Sequence, residues 1–264
     1  MSNSPHTVSI HILDNDSLLN IFHHYRPFLL GEDDGDSTRL SGGGHWVRGR
    51  WWYKLAHVCQ LWRKIILGSS SYLNISLVCA NGTSVLDMLA HSPPLSLDFD
   101  YYCDGYYDFT AEDEKGILLA LGKRDSVRRV RLFLPVANLQ KLIGAIDEEY
   151  PILEYLLIFP RTEEGHPFVI FPETFHAPHL RHLALAGFAP PIGSRLLTTA
   201  AGLVTLFPHT PTFFYPNTLL QCLSFIPQLE TLVITFSSPI PNRDVERQLS
   251  WIPIMTHVTL SNLS

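Results

Sequence analysis

The chain has 264 residues, enough for one large domain or two small ones with a real core. Apolar residues make up 46% and charged residues 17%, which excludes global disorder. The formal charge of −6 argues against a general affinity for nucleic acid, which needs clustered Lys and Arg to displace counterions.

Cys59, Cys79, Cys103 and Cys222 are scattered without a CxxC, so they read as free thiols of a reducing compartment rather than disulfides or zinc ligands. The start of the chain lacks a basic stretch followed by an apolar run, and no signal peptide is expected. The longest apolar stretch, residues 196–207, is interrupted by threonines and too short to span a bilayer. A cytoplasmic or nuclear protein without membrane contact follows as the expectation.

Residues 12–25 read as a helix. Asp14 and Asn15 supply N-cap chemistry, Leu18, Leu19, Ile21 and Phe22 form an apolar face, and Pro27 stops the helix. Residues 31–44 combine clustered acids with a glycine run and no periodicity, which predicts a flexible loop. In residues 51–67, Trp51, Leu55, Val58, Trp62 and Ile65 recur at steps of four and three, one stripe of a single helix with Lys54, Gln60, Arg63 and Lys64 off it. Gly68 stands where a left-handed C-cap belongs.

Beyond residue 70 the pattern becomes repetitive. An L-x-x-L-x-L template recurs as Val127-Val130-Leu132, Leu153-Leu156-Ile158, Leu180-Leu183-Leu185, Leu229-Leu232-Ile234 and Met255-Val258-Leu260. A weaker copy begins at Leu203 and Leu206 and puts Pro208 third. Successive starts lie 26, 27, 23, 26 and 26 residues apart, within the period of roughly 20–29 that leucine-rich repeats use. Tyr72-Ile75-Leu77 and Leu95-Leu97-Phe99 are irregular forerunners. Candidate helices at 138–147 and 218–225 are each followed by a proline, Pro151 or Pro227, that turns the chain into the next strand. The expected architecture is α/β: helices first, then a leucine-rich-repeat-like solenoid with its parallel sheet on the concave side.

The stretch from Leu13 to Phe22 (LDNDSLLNIF), followed after a loop by WWYKLAHVCQLWRKIILGSSSYLNISLVC, resembles the F-box of mushroom-type fungal proteins. The second part of that pattern is matched by Trp52, Leu55, Val58, Cys59, Trp62 and Arg63, and the likeness covers roughly residues 10–80. The repeats add a looser architectural likeness over 127–260, giving an F-box-like module at 10–80 and a solenoid at 81–264. Asp14 departs from the pattern, which has proline there; aspartate is expected to cap the helix instead, with contact to the adaptor in doubt at that point.

The resemblance implies docking on the adaptor subunit of a cullin-RING ubiquitin ligase, with the repeats presenting an unknown target protein. Core and adaptor contacts are expected together from Leu13, Leu18, Ile21, Phe22, Leu55, Val58, Cys59 and Trp62. Residues alternating with the buried leucines give the expected target face: Arg129, Arg131, Tyr155, Leu157, His182, Ala184, Thr205, Phe207, Thr231, Val233, His257 and Thr259. That row runs from basic to largely apolar, which suits a protein more than an anion. A register slip of one residue exchanges the two faces.

Thirteen histidines include His176, His179 and His182, but Pro178 breaks any helix that aligns them, so no metal site is expected. The string HWVRGRWWYK mixes aromatic and basic residues, yet its tryptophans belong to the helix pattern, so nucleic-acid binding is not expected. No G-x-S-x-G elbow, phosphate-binding glycine loop or H-E-x-x-H helix occurs, and Asp147, Glu148 and Glu149 read as a solvated helix end. No enzyme activity and no cofactor are expected. The chain stops at Ser264 directly after a strand-like THVTL, where a solenoid needs a cap, so truncation is the expectation. A ligase substrate receptor is the leading reading. The alternative is an interaction scaffold, outside any ligase, whose F-box-like helices only cap the repeats.

Overall fold

The computed structural model describes residues 13–26, 50–102, 109–161, 171–186, 194–209 and 223–232. The loop expected at 31–44, the last template copy, Val233, His257, Thr259 and the side chain of Phe207 lie outside this description. The chain divides into two compact units, residues 1–77 and 78–264.

In the first unit, α1 (Asn15–Tyr25) begins where the sequence places its cap. Asp14 is extended and its carboxylate accepts the Ser17 N–H at 2.7 Å. Aspartate therefore does the capping work at this helix start. Leu18 and Phe22, one turn apart, are buried.

The single helix expected over 51–67 is instead two, α2 (Trp51–Ala56) and α3 (Gln60–Gly68). Cys59 between them is extended, with φ −158° and ψ 170°, and its Sγ accepts the Trp62 N–H at 3.5 Å. Arg63 reaches back, its Nε–H donating to the Ala56 carbonyl at 3.1 Å, so an end carbonyl of α2 gains a partner that a continuing helix would have supplied. The corner turns Val58 outward, 58% exposed, although it sits mid-stripe in the sequence. The residues buried from these helices are Trp52, Ala56, Ile65 and Ile66. Gly68 is the last residue of α3 rather than a left-handed cap; Ser69 follows with φ −117°.

The remaining elements are β1 (Ser76–Ala80), α4 (Val85–His91), β2 (Ser96–Tyr102), α5 (Ala111–Leu121), β3 (Val127–Pro135), α6 (Val136–Gly144), β4 (Tyr155–Arg161), β5 (His182–Ala186), α7 (Arg195–Thr199), β6 (Thr205–His209) and β7 (Thr231–Leu232). The strands form one seven-stranded sheet in chain order, parallel from β2 through β7. The unit boundary falls within β1.

The template copies fall into one register. Phe99, Val130, Leu156, Leu183, Leu206 and Leu232 are successive cross-strand partners, and so are Tyr101, Leu132, Ile158, Leu185 and Pro208. All but Pro208, whose side chain is not described, and the half-buried Leu232 are buried. Each fully buried leucine contributes about 1.5–3 kcal/mol. The forerunner at β2 spaces its first pair, Leu97 and Phe99, by two residues where the template uses three. A bulge between Leu97 and Asp98 absorbs the difference, because Leu97 faces Val127 while Asp98 already faces Arg129. At β1 the forerunner holds only in part: Ile75 and Leu77 are buried, Tyr72 is exposed.

A second recurrence precedes the leucines. The N–H groups of Leu153, Leu180, Leu203 and Leu229 donate to the carbonyls of Tyr150, Ala177, Ala200 and Ile226, closing a tight turn before each unit. Those four acceptor residues are all buried. Pro151, Pro178 and Pro227 occupy the second turn position, where a fixed φ suits the geometry. The next residue after each leucine carries the ladder onward: Glu154 N–H donates to the Arg128 carbonyl, Arg181 to Glu154, Val204 to Arg181 and Glu230 to Val204, all at 2.8–2.9 Å.

The helix expected at 138–147 is α6, shifted toward the N-terminus so that it starts directly at the end of β3. It packs against β3 and β4 through buried Leu139, Leu142 and Ile143. Helix α5 opens with a capping box between Thr110 and Asp113 and approaches α4 closely at Gly116, where a Cβ would lie 3.1 Å from Val85. Glu114 ties α5 to α6 through Lys141 Nζ at 3.1 Å and Asn138 Nδ2 at 2.8 Å, and those partners hold its carboxyl below the ordinary range. Of the candidate helix at 218–225, Leu223 and Ser224 are described and helical.

Candidate functional site

Two surfaces, one on each unit, carry the residues singled out in the sequence.

On the helical unit the eight expected residues separate into two groups. Leu18 and Phe22 are buried, and Leu55, Cys59 and Trp62 are half-buried. Phe22 and Trp62 meet edge to face, which joins α1 to α3. Trp52 anchors the unit from the other side, its indole N–H donating to the Ser76 carbonyl at 3.3 Å. Leu13, Ile21 and Val58 point to solvent, and Tyr25 and Leu61 join them; Ile21 is 48% and Leu61 40% exposed. The sequence pattern missed Tyr25 and Leu61 as outward residues because the helix break at Cys59 re-aims everything after Ala56.

On the sheet, the face opposite the leucine ladder is built of three cross-strand rows. The first is Asp98, Arg129, Tyr155, His182, Thr205 and Thr231. The second is Asp100, Arg131, Leu157, Ala184 and Phe207, and the third starts Tyr102, Phe133, Phe159. Arg129, Tyr155, His182, Thr205 and Thr231 are half-buried, as expected of a face with large neighbours. Leu157 and Ala184 are not offered to solvent: both are buried, Leu157 at 5% exposure, so these positions form part of the packed structure.

The charge distribution also differs from the expected basic-to-apolar gradient. Asp98 and Asp100 on β2 stand beside Arg129 and Arg131 on β3, and Arg131 Nη1 lies 3.6 Å from Asp100 Oδ1. The basic end of the face is therefore balanced by acids within the sheet. Tyr155 lies next to His182, ring centroids 5.6 Å apart. Burial pushes the Tyr155 hydroxyl above its ordinary range, while Arg131 and Arg129 pull the other way. The third row is aromatic, with Tyr102 stacked on Phe133 at 4.7 Å. Alternation along the strands carried two positions further would have found it.

The three histidines of residues 176–182 do not converge. His176 lies between the Thr174 carbonyl at 3.0 Å and the Glu149 carboxylate at 3.2 Å, His179 is exposed, and His182 packs beside Tyr155. Among the described residues no group of three or more His, Cys, Asp or Glu is placed to hold a metal ion. Asp147 and Glu148 pair with Arg124, and Glu149 with His176, so this acidic run is an ion-paired edge rather than a free tip. Among the described residues no helix is long and apolar enough to cross a membrane. Of the four cysteines, the described pair Cys59 and Cys79 are free thiols.

No protein-family model matches this chain, and no curated protein and no solved structure matches it either.

Proposed function

We propose that this protein is the substrate-receptor subunit of a cullin-RING ubiquitin ligase, with residues 10–80 as an F-box-like docking module and 81–264 as a leucine-rich-repeat-like solenoid. The helical module docks on the adaptor subunit and the concave face of the sheet holds the target protein. Ubiquitin transfer is left to other subunits, so no catalytic residue and no cofactor is assigned to this chain. The compartment is the cytoplasm or the nucleus.

The observation that carries the reading is the division of the motif residues on α1–α3. Leu18 and Phe22, with Trp62 against Phe22, knit the helices together, while Leu13, Ile21 and Val58 remain exposed. A docking helix needs both sets, because exposed apolar anchors bind only when a rigid core presents them. The single register shared by the template copies supports the solenoid.

Co-expression with the adaptor subunit followed by pull-down tests the proposal. A stable stoichiometric complex is expected. A well-folded chain that fails to bind the adaptor would assign α1–α3 to capping the repeats.

A further inference from the structure

Residues 37–86 contain six cations, Arg39, Arg48, Arg50, Lys54, Arg63 and Lys64, and no Asp or Glu, in a chain whose formal charge is −6. Three of the cations, Lys54, Arg63 and Lys64, are exposed within the corner formed by α2 and α3. Val58 and Leu61 are exposed in the same corner, together with His57. The chain stays tightly turned from Lys54 to Val58, since His57 N–H donates to the Tyr53 carbonyl and Val58 N–H to the Leu55 carbonyl. Leu61 and Lys64 then fall one turn apart on one side of α3. The result is a pair of aliphatic side chains in a basic surround.

We propose that this corner docks against an acidic protein surface, Val58 and Leu61 providing the apolar contact and Lys54, Arg63 and Lys64 the charge complementarity. The inference rests on the docking role proposed above and specifies the chemistry of the partner. Rim charges of this kind act mainly on the rate of encounter and on its salt dependence, whereas a desolvated apolar pair acts on the rate of departure. A nucleic acid is the poorer fit, because strand binding uses exposed aromatic platforms and Trp52 is buried and stacked on Tyr53 at 4.1 Å.

The test measures association and dissociation of the full chain with the adaptor subunit from about 0.05 M to about 0.5 M salt, over which screening shortens severalfold. The double variant Lys54→Glu/Lys64→Glu is expected to associate about tenfold more slowly at low salt and to converge on the parent at high salt. Lys115→Glu/Lys123→Glu, the same charge change at exposed positions of the other unit, is expected to alter association less than about twofold. Val58→Ser/Leu61→Ser is expected to speed dissociation with association unchanged. Complex formation indifferent to salt and to the corner's charge reversal overturns the inference and leaves the docking role standing. Equal or tighter salt-dependent capture of a mixed-sequence single-stranded oligonucleotide also overturns it. Absence of any complex at every salt concentration overturns the docking role and the inference together.

Discussion

Phe22 on α1 and Trp62 on α3 meet edge to face, with ring centroids 4.8 Å apart and planes inclined by 63°. Phe22 has no solvent exposure, so truncating it removes both its burial and the only partner this geometry gives the indole edge. Phe22→Ala is expected to destabilise the chain by about 3–5 kcal/mol, and Trp62→Phe, which keeps an aromatic face, by less than about 2 kcal/mol. Denaturant unfolding followed by tryptophan fluorescence and far-ultraviolet dichroism checks the order. Equal effects would show that the ring contact is not what holds α1.

The Asp14 carboxylate is held below its ordinary value of 3.8 chiefly by the Ser17 N–H it accepts. A depressed carboxyl contributes stability that is complete above the ordinary value and is lost as pH falls through the lowered one. Helix α1 should therefore keep its cap from neutral pH down to mildly acidic conditions and weaken only below the ordinary carboxylate range. Asp14→Ala should lose the cap at every pH, and Asp14→Asn should retain most of it with the acid-range dependence removed. Thermal melts read by dichroism as pH is lowered distinguish the three.

Arg128 reaches Glu154 with two donors on one carboxylate oxygen, Nε at 2.9 Å and Nη2 at 2.7 Å. The two residues occupy equivalent places in successive units, and the Glu154 N–H also donates to the Arg128 carbonyl. The side chains are part-exposed, so solvent screens the pair, and a coupling of about 0.5–1 kcal/mol is expected from an Arg128→Ala, Glu154→Ala double-mutant cycle. A coupling indistinguishable from zero would mean that the backbone ladder alone joins these units.

The two faces of the sheet should respond differently to truncation. Leu156→Ala and Leu183→Ala remove fully buried ladder positions and are expected to cost about 2–5 kcal/mol each. His182→Ala, on the opposite face and half-buried, should cost less than about 1 kcal/mol. Leu157→Ala should behave like the ladder positions, because its surroundings are as closed as theirs. Chemical denaturation of the four variants provides the comparison, and a cheap Leu157→Ala would return that residue to the open face.

The repeats were legible because the template fixes three buried positions per unit, and stacking leaves those positions no other register. The cap of α1 was legible for a similar reason: Asp14 is a short acceptor standing directly before an apolar face. The corner at Cys59 was not. Trp51, Leu55, Val58, Trp62 and Ile65 keep helical spacing through the break, so periodicity alone describes a continuous rod. What ends α2 is local chemistry, the Cys59 cap and the Arg63 hydrogen bond to Ala56, and neither residue type signals it strongly. The acids that balance Arg129 and Arg131 escaped notice because β2 departs from the template, and only the bulge at Leu97 brings Asp98 and Asp100 alongside them. The aromatic row of Tyr102, Phe133 and Phe159 lies beyond the template's last leucine, where the pattern has nothing to say.

Amide hydrogen exchange of the full chain, with and without the adaptor subunit, tests the docking role most directly. Added protection is expected within 13–26 and 50–68, centred on the exposed anchors Ile21, Val58 and Leu61, with strands β3–β6 unchanged. Protection that instead appears over the sheet, or nowhere, would contradict it.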